Sequence, residues 1–203
     1  VVLEMVRRAE EDGALRTFTN TPATGFDIVD GRIRGVHTQK GTIEAPLVVI
    51  TCGIWGPAVG ELAGVPVPLW PVAHPLLDFG PLDSIQGTDE YLVHPLLRDQ
   101  GNSAYVRDTG RTEGGMLEWG YYEENEPRLV DASDIGNPNE TKTSPSMRHL
   151  PLEQIADPLA RASETVPAFE NLGWDERTSF NGLLSVTVDN GSLVGESPEV
   201  RGL

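Results

Sequence analysis

Two ring-bearing side chains of this sequence, His74 and Tyr105, could exchange protons or hydrogen bonds with a small molecule. Imidazole titrates near neutral pH, so a histidine can influence the protonation state of a bound amine. Both residues lie in short apolar runs typical of strands, and a shared face needs only the correct pairing register. A lone histidine in an apolar strand is, however, more typical of a protein core. Tyr105 is also suited to a cross-strand aromatic pair with Trp119 or Tyr121.

The segment Cys52-Gly53-Ile54-Trp55 has the pattern of a cofactor-binding turn. It follows a continuous apolar run at residues 46–50, which predicts a strand buried on both faces of a parallel sheet. A helix-like stretch through Leu62 comes next. Dinucleotides bind where such a strand ends in a glycine and a helix follows, because glycine lets the backbone approach the ligand. The alternative is a plain strand-to-helix turn with Trp55 packed in the core.

The elements that must position these residues divide into two groups. Asp30-Gly31 stands between two alternating runs, residues 25–29 and 32–38, and predicts a hairpin because both turn positions favour positive φ. Closely spaced prolines begin at Pro66. They predict an extended crossing and a domain boundary near Val65, because proline is excluded from helix interiors.

Beyond that boundary the pattern predicts a second sheet with flanking helices. Two of its strands form a hairpin joined through residues 109–111. The predicted elements are strands at residues 72–79, 91–97, 103–108 and 115–122, a polar surface loop at 133–146 and an amphipathic helix at 152–165.

The overall composition excludes several classes of protein. The 203 residues carry a formal net charge of −16, which argues against binding to nucleic acid or to an anionic membrane surface. With Cys52 as the single cysteine, no intrachain disulfide can form. The four histidines lack the spacing of metal ligands, and no apolar run has the length of a membrane span. We therefore expect a soluble, metal-free protein with a sizeable core.

Several motifs in a fixed order resemble one family. They are the Asp-Gly hairpin, Cys52-Gly53-Ile54-Trp55, Pro71-Val72-Ala73-His74, Tyr105-Val106-Arg107, and Asn190-Gly191 followed by Gly195-Glu196-Ser197. This order resembles FAD-dependent amine oxidoreductases of the D-amino-acid-oxidase superfamily, in the dimethylglycine and sarcosine dehydrogenase/oxidase branch. The resemblance implies an α/β (α+β) fold. Its parts are a partial FAD-binding Rossmann-like layer with a β-meander and a substrate domain on a mixed or antiparallel sheet with flanking helices.

The resemblance also implies roles for individual residues. Cys52, Gly53 and Trp55 correspond to a turn close to the adenine dinucleotide of FAD. Ala23 corresponds to a residue that contacts the adenine through its backbone. His74 corresponds to a histidine that faces the substrate near the flavin. Tyr105 corresponds to a tyrosine over the flavin that hydrogen-bonds the substrate and touches the cofactor.

The resemblance divides the chain into three parts. Residues 1–65 match the distal part of the FAD-binding domain, 66–182 the substrate-binding domain, and 183–203 a return segment toward the FAD-binding domain. Residues 1–8 have the pattern of a helix interior without an N-cap, so we interpret both ends as truncations. The sequence has no Gly-x-Gly-x-x-Gly phosphate-binding motif, and we expect this chain alone not to retain FAD.

The implied activity is oxidation of the N-methyl group of an amino acid such as sarcosine or dimethylglycine, by hydride transfer to FAD. One alternative is a non-catalytic regulatory relative of the same fold. Another is an amino-acid oxidase, which is disfavoured because residues 187–195 lack the arginine that binds a substrate carboxylate in some distant members. The resemblance implies a small-molecule amine substrate and allows a folate acceptor bound by a domain outside this chain. It also implies a cytoplasmic location, or the mitochondrial matrix in a eukaryote.

Overall fold

The structure is a computed structural model in which the chain forms two compact units. The first unit comprises Val1–Cys52, Ala58–Val67 and Val194–Leu203, and the second comprises Gly53–Pro57 and Pro68–Leu193. The structure describes every residue except Thr88, Tyr91, 111–113, 124–126 and 137–143. The predicted strand at 91–97, the 109–111 connection and the loop at 133–146 therefore lie partly outside the described residues.

A three-stranded antiparallel sheet forms the centre of the first unit. Its strands are β1 (Ala23–Val29), β2 (Arg32–Thr38) and β3 (Gly41–Glu44), in that order across the sheet. Asp30 and Gly31 have φ values of 50° and 68° between β1 and β2, so the hairpin predicted from the Asp-Gly pair is confirmed. Helix α1 (Val2–Glu11) precedes the sheet, and helix α2 spans Gly56–Ala63.

The buried parallel strand predicted at residues 46–50 is wrong for this structure. The segment has no strand conformation, and Leu47 and Val49 are 67% and 72% exposed. Its Val48 N–H donates to the Gly202 carbonyl at 2.8 Å, but none of the strands in the described residues pairs with it. A parallel strand is buried by neighbours on both sides. The apolar pattern is present here without those neighbours, so the segment forms no strand; Leu47 and Val49 stay exposed, and Val48 packs partly buried against a hydrophobic cluster.

The second unit is built on a five-stranded antiparallel sheet with the strand order β5-β6-β7-β4-β8. Helices α3 (Asp83–Gln86) and α4 (Ala156–Thr165) belong to the same unit. No helix in the described part of the chain is long and apolar enough to cross a membrane. The strands are β4 (Leu69–Phe79), β5 (Leu97–Asp99), β6 (Ala104–Asp108), β7 (Leu117–Tyr121) and β8 (Phe180–Thr187).

The two faces of this sheet differ in character because side chains alternate along each strand. One face carries Leu77, Phe79, Val106 and Trp119, which are at most 7% exposed and belong to the main hydrophobic core. Burial of such side chains contributes about 1.5–3 kcal/mol each. The opposite face carries polar and aromatic residues. The core face therefore stabilises the sheet, and the polar side chains of the opposite face are available to contact a ligand.

The predicted division of the chain after Gly182 stays a prediction, and the structure shows only how this segment is paired. Strand β8 pairs with β4 from Leu69↔Thr187 to Leu76↔Phe180, so residue 182 lies inside a continuous ladder. The chain therefore stays in the second unit as far as Leu193. The assignment of the first unit to cofactor binding and of the second to substrate binding remains a prediction.

Candidate functional site

The polar face of the second sheet brings residues from four strands together. The register places Tyr105 of β6 directly opposite Gly120 of β7, and Gly120 opposite Leu76 of β4. His74 lies two residues before Leu76 on β4 and is paired with Gly182 of β8. All of these positions share one face because they differ by even numbers along their strands.

His74 and Tyr105 form the centre of this face. The His74 Nε2 atom lies 3.4 Å from the Tyr105 hydroxyl oxygen, and the two ring planes are inclined by 19°. The Tyr122 ring packs on His74 with centroids 4.6 Å apart, and the Arg98 guanidinium lies 5.0 Å from the Tyr122 ring centroid. The alternative pairing of Tyr105 with Trp119 or Tyr121 is wrong, because those side chains belong to the other face of β7.

His74 is held in its neutral form. Burial lowers its pKa below the ordinary value of 6.5, while a hydrogen bond to the Tyr121 backbone and the charge of Glu118 act in the opposite direction. A neutral imidazole has one N–H group, and the Tyr121 contact uses it. We therefore assign His74 Nε2 as an acceptor, with the Tyr105 hydroxyl as its donor. His74 is buried, as the core alternative supposed, yet its ring edge faces polar groups.

Tyr105 is held in its protonated form. Burial is the main cause that raises its pKa above 10.0, followed by the charge of Glu118. The positive charges of Arg107 and Arg98 act in the opposite direction and are weaker. At neutral pH the hydroxyl therefore keeps its proton and can donate it in a hydrogen bond.

A row of charged residues crosses the sheet next to the His74 and Tyr105 pair. Arg107 of β6 faces Glu118 of β7, and Glu118 faces Asp78 of β4. Arg107 and Glu118 form a two-pronged ion pair, in which Nη2 lies 2.9 Å from Oε2. The Asp78 carboxyl has a raised pKa, mainly because it is buried, and Glu118 contributes as a like charge.

Part of this polar face lines a cavity of about 470 Å³, a size typical of small-molecule sites. Its polar walls come from His74, Tyr105, Arg107 and Glu118, and its apolar walls include Leu76 and Phe180. In the described part of the chain, no three His, Cys, Asp or Glu side chains form a group that could hold a metal ion. The polar groups in the cavity wall can take part in hydrogen bonding and proton exchange beside one ion pair.

Of the residues expected to contact the cofactor, Tyr105 lies in the cavity wall and the others do not. Ala23 is exposed at the start of edge strand β1, and Cys52 is an exposed free thiol; both belong to the first unit. Gly53 and Trp55 belong to the second unit, where they form a 3-10 turn with Gly53 at φ 53°. The Trp55 indole N–H is buried and has no acceptor among the described residues.

The sequence interpretation missed three residues of the polar face: Arg107, Glu118 and Gly120. The signal for them was present in the hairpin. Once Tyr105 is assigned to one face, alternation places Arg107 on the same face. The pairing register then selects Gly120 and Glu118, but a register cannot be read from two strands whose connecting turn has uncertain length.

Comparison with known proteins agrees with the motifs found in the sequence. The family described as FAD dependent oxidoreductase (DAO) matches residues 1–203. Human mitochondrial sarcosine dehydrogenase is 32% identical over 203 residues, which is 98% of this chain and 20% of that protein. Mouse mitochondrial dimethylglycine dehydrogenase is 28% identical over 201 residues, which is 99% of this chain and 22% of that protein. The chain thus spans about a fifth of the length of these relatives.

Among solved structures, L-proline dehydrogenase from P. horikoshii has the same fold. The TM-score is 0.69 at 22% identity, over 97% of this chain and 46% of that one. The predicted α/β fold class, with its meander and its second antiparallel sheet, is confirmed. With a match along its whole length, the chain belongs to the DAO family of FAD-dependent oxidoreductases.

Proposed function

We propose that this chain is the central segment of an FAD-dependent amine dehydrogenase or oxidase that oxidises the N-methyl group of a small amino acid of the sarcosine or dimethylglycine type. The observation that carries the proposal is the contact of neutral His74 with the Tyr105 hydroxyl at 3.4 Å in the wall of the cavity. An amine must lose its proton before a hydride can leave the adjacent carbon. The cavity contains an acceptor suited to that proton.

The residues present fit part of an FAD site. β1 is an edge strand, so its backbone at the exposed Ala23 is open to an adenine. The buried Trp55 N–H without a partner in the described residues offers a donor beside the Gly53 turn. We propose that Ala23, Cys52, Gly53 and Trp55 hold the adenine dinucleotide and that Tyr105 contacts the flavin. Bound FAD supplies the hydride acceptor for the oxidation.

His74 and Tyr105 together remove the amine proton. The Tyr105 oxygen accepts a hydrogen bond from the substrate ammonium while its own O–H points to His74 Nε2. The ammonium proton passes to the Tyr105 oxygen as the phenol proton passes to His74 Nε2, so the amine becomes neutral and the imidazole becomes cationic. Glu118 favours this cation through its negative charge. Their 3.4 Å separation is long for a hydrogen bond, and we expect it to shorten when substrate binds.

Arg107 would recognise the substrate carboxylate. Among the residues found in the cavity wall it is the one Arg or Lys side chain, and its guanidinium is about half exposed. A planar guanidinium matches a carboxylate geometrically. This arginine lies on β6, away from residues 187–195. It would bind the carboxylate of an N-methyl or of an ordinary amino acid alike, so the choice between these substrates depends on the experiment below.

With bound FAD as the hydride acceptor, oxidation of the N-methyl carbon would leave a carbon–nitrogen double bond on the substrate, an iminium ion. Water adds to that carbon and releases formaldehyde and the demethylated amine. A folate acceptor bound by another domain would take the one-carbon unit in place of water.

The test is anaerobic mixing of the complete flavoprotein with sarcosine, dimethylglycine, D-alanine and L-proline in separate reactions. Bleaching of the flavin absorbance by the N-methyl amino acids, with formaldehyde equimolar to the flavin reduced, is the expected result. Bleaching by D-alanine or L-proline alone would replace the proposal with an ordinary amino-acid oxidase or dehydrogenase. A protein that none of the four amines reduces would support the regulatory alternative and contradict the proposal.

A further inference from the structure

We propose that Gly120 is a positioning residue for the site, because the absence of its side chain is what lets the Tyr105 ring reach His74. This inference rests on the proposed function only for its catalytic consequence. The geometric part concerns three residues on three adjacent strands and holds whichever small molecule the cavity binds.

The strand order separates the backbones of Tyr105 and His74 by one intervening strand. Tyr105 lies on β6 and His74 on β4, and β7 runs between these two strands. Neighbouring strands are about 4.8 Å apart, so the two backbones are separated by roughly 9.6 Å. A phenol that stands upright on β6 would point away from the sheet and would miss His74. The Tyr105 ring must lie down across β7 for its hydroxyl to come within 3.4 Å of His74 Nε2.

Gly120 lies under that ring. It is the residue of β7 directly opposite Tyr105. A Cβ atom at position 120 would lie 2.3 Å from Tyr105 Cζ, 2.4 Å from Cε1 and 2.4 Å from the hydroxyl oxygen. These are the three nearest heavy atoms, and all belong to Tyr105. Such distances are far inside van der Waals contact, so any side chain at position 120 displaces the ring.

The backbone does not require a glycine here. Eleven other glycines of the described chain have positive φ, whereas Gly120 does not. It lies in a regular antiparallel ladder, where glycine is normally unfavourable because it has no side chain to pack and costs backbone entropy. The glycine is therefore explained by the ring that covers it. The Tyr105 ring in turn covers the β7 backbone at Gly120, which has no side chain of its own to cover it.

The consequence for catalysis follows from the distance. With the Tyr105 ring lifted from β7, the hydroxyl no longer reaches His74, and the proton path from the amine is broken. Gly120→Ala should therefore reduce amine turnover at least as far as Tyr105→Phe does. In the Tyr105→Phe background it should reduce turnover little further, because the hydroxyl that it displaces is already absent. In the Tyr105→Ala background it should have no further effect.

The test is a double-mutant cycle between Gly120 and Tyr105 in the complete flavoprotein, measured by the midpoint of thermal unfolding. Gly120→Ala should lower the midpoint when Tyr105 is present, because the new methyl group and the ring cannot share one place. In the Tyr105→Ala background the same change should leave the midpoint unchanged or raise it, since alanine suits a strand better than glycine. An equal loss in both backgrounds would overturn the proposal.

Ultraviolet difference titration of the Tyr105 hydroxyl, taken against Tyr105→Phe, gives a second readout. Burial raises the pKa of Tyr105 in the parent, so displacement of the ring by Gly120→Ala should return it toward the ordinary value of 10.0. An unchanged titration would show that the ring keeps its place and would also overturn the proposal. Neither measurement uses an amine substrate, so both remain decisive if the proposed function fails.

Gly182→Ala is the matched control. Gly182 also lines the cavity, on β8 opposite His74. Its added Cβ would lie 3.4 Å from Phe180 Cε2 and 3.5 Å from the His74 carbonyl oxygen, which are ordinary contacts. Its effect on the unfolding midpoint should be the same with and without the Tyr105 ring. Coupling of Gly182 to Tyr105 as strong as that of Gly120 would contradict the assignment.

Discussion

His74 and Tyr105 lie on strands that are not neighbours, yet the Tyr105 hydroxyl is 3.4 Å from His74 Nε2 across the intervening strand β7. Burial keeps both side chains uncharged, because it lowers the pKa of the His74 imidazole and raises the pKa of the Tyr105 phenol. The pair is therefore neutral at pH 7. It can accept one proton from a ligand, and the nearby Glu118 charge favours that transfer.

Replacing His74 with alanine should reduce turnover of sarcosine or dimethylglycine by about 10²-fold or more, which is the lower range for loss of a general base. His74 is neutral in the folded protein, with a pKa below 6.5. The parent should therefore lose activity as the pH falls through the lowered pKa of His74, and this acid limb should be absent from the variant. Steady-state rates between pH 5 and 9 check the prediction. The exposed His149→Ala serves as control, and an acid limb retained in His74→Ala would contradict the assignment.

Tyr105→Phe should have a smaller effect, about tenfold in turnover, since it keeps the ring and leaves His74 in place as the final proton acceptor. The ring still covers Gly120, so stability should change little. When Tyr105→Phe is combined with His74→Ala, turnover should fall almost no further than in His74→Ala alone, because both substitutions interrupt the same proton path. Kinetics of the two single variants and the double variant decide this. Fully additive losses would mean that the two residues act separately.

The sequence was informative where local chemistry determines the structure. The Asp30-Gly31 hairpin follows from turn residues that accept positive φ. Strands β6 and β7, predicted as the two arms of a second hairpin, do pair antiparallel. The order of motifs also identified the family, which its match to residues 1–203 confirms.

The sequence failed where structure depends on distant partners. The run at residues 46–50 has the composition of a buried strand, but burial requires neighbouring strands that no described segment provides. The ion pair of Arg107 with Glu118 and the bare position at Gly120 depend on the pairing register. Alternation restricts the register only to steps of two, so these contacts could not be obtained without coordinates.

Removing Arg107 and removing Glu118 from their ion pair should destabilise the protein by different amounts. The Glu118 side chain is 10% exposed and that of Arg107 is 51% exposed. Arg107→Gln leaves a buried carboxylate opposite Asp78 without its cation and should cost about 1–3 kcal/mol. Glu118→Gln leaves only a half-exposed guanidinium and should cost less than about 1 kcal/mol. Denaturant unfolding of the two variants measures the difference, and equal costs would contradict this account.

Asp78→Asn should stabilise the protein at neutral pH. The carboxyl of Asp78 has a pKa raised above 3.8 by burial and by the like charge of Glu118, so its contribution to stability is full below pH 3.8 and is lost as the pH rises through the raised value. Asparagine carries no charge at any pH, so it avoids the cost of burying an ionised carboxylate. The unfolding midpoint of Asp78→Asn should therefore exceed that of the parent at pH 7 and equal it near pH 3. Asp175→Asn is the matched control of opposite sign, because hydrogen bonds from Arg177 lower the pKa of Asp175 to about 2. That variant should be less stable at pH 7. A loss of stability at pH 7 for Asp78→Asn would show that its hydrogen bond with Thr178 outweighs the buried charge.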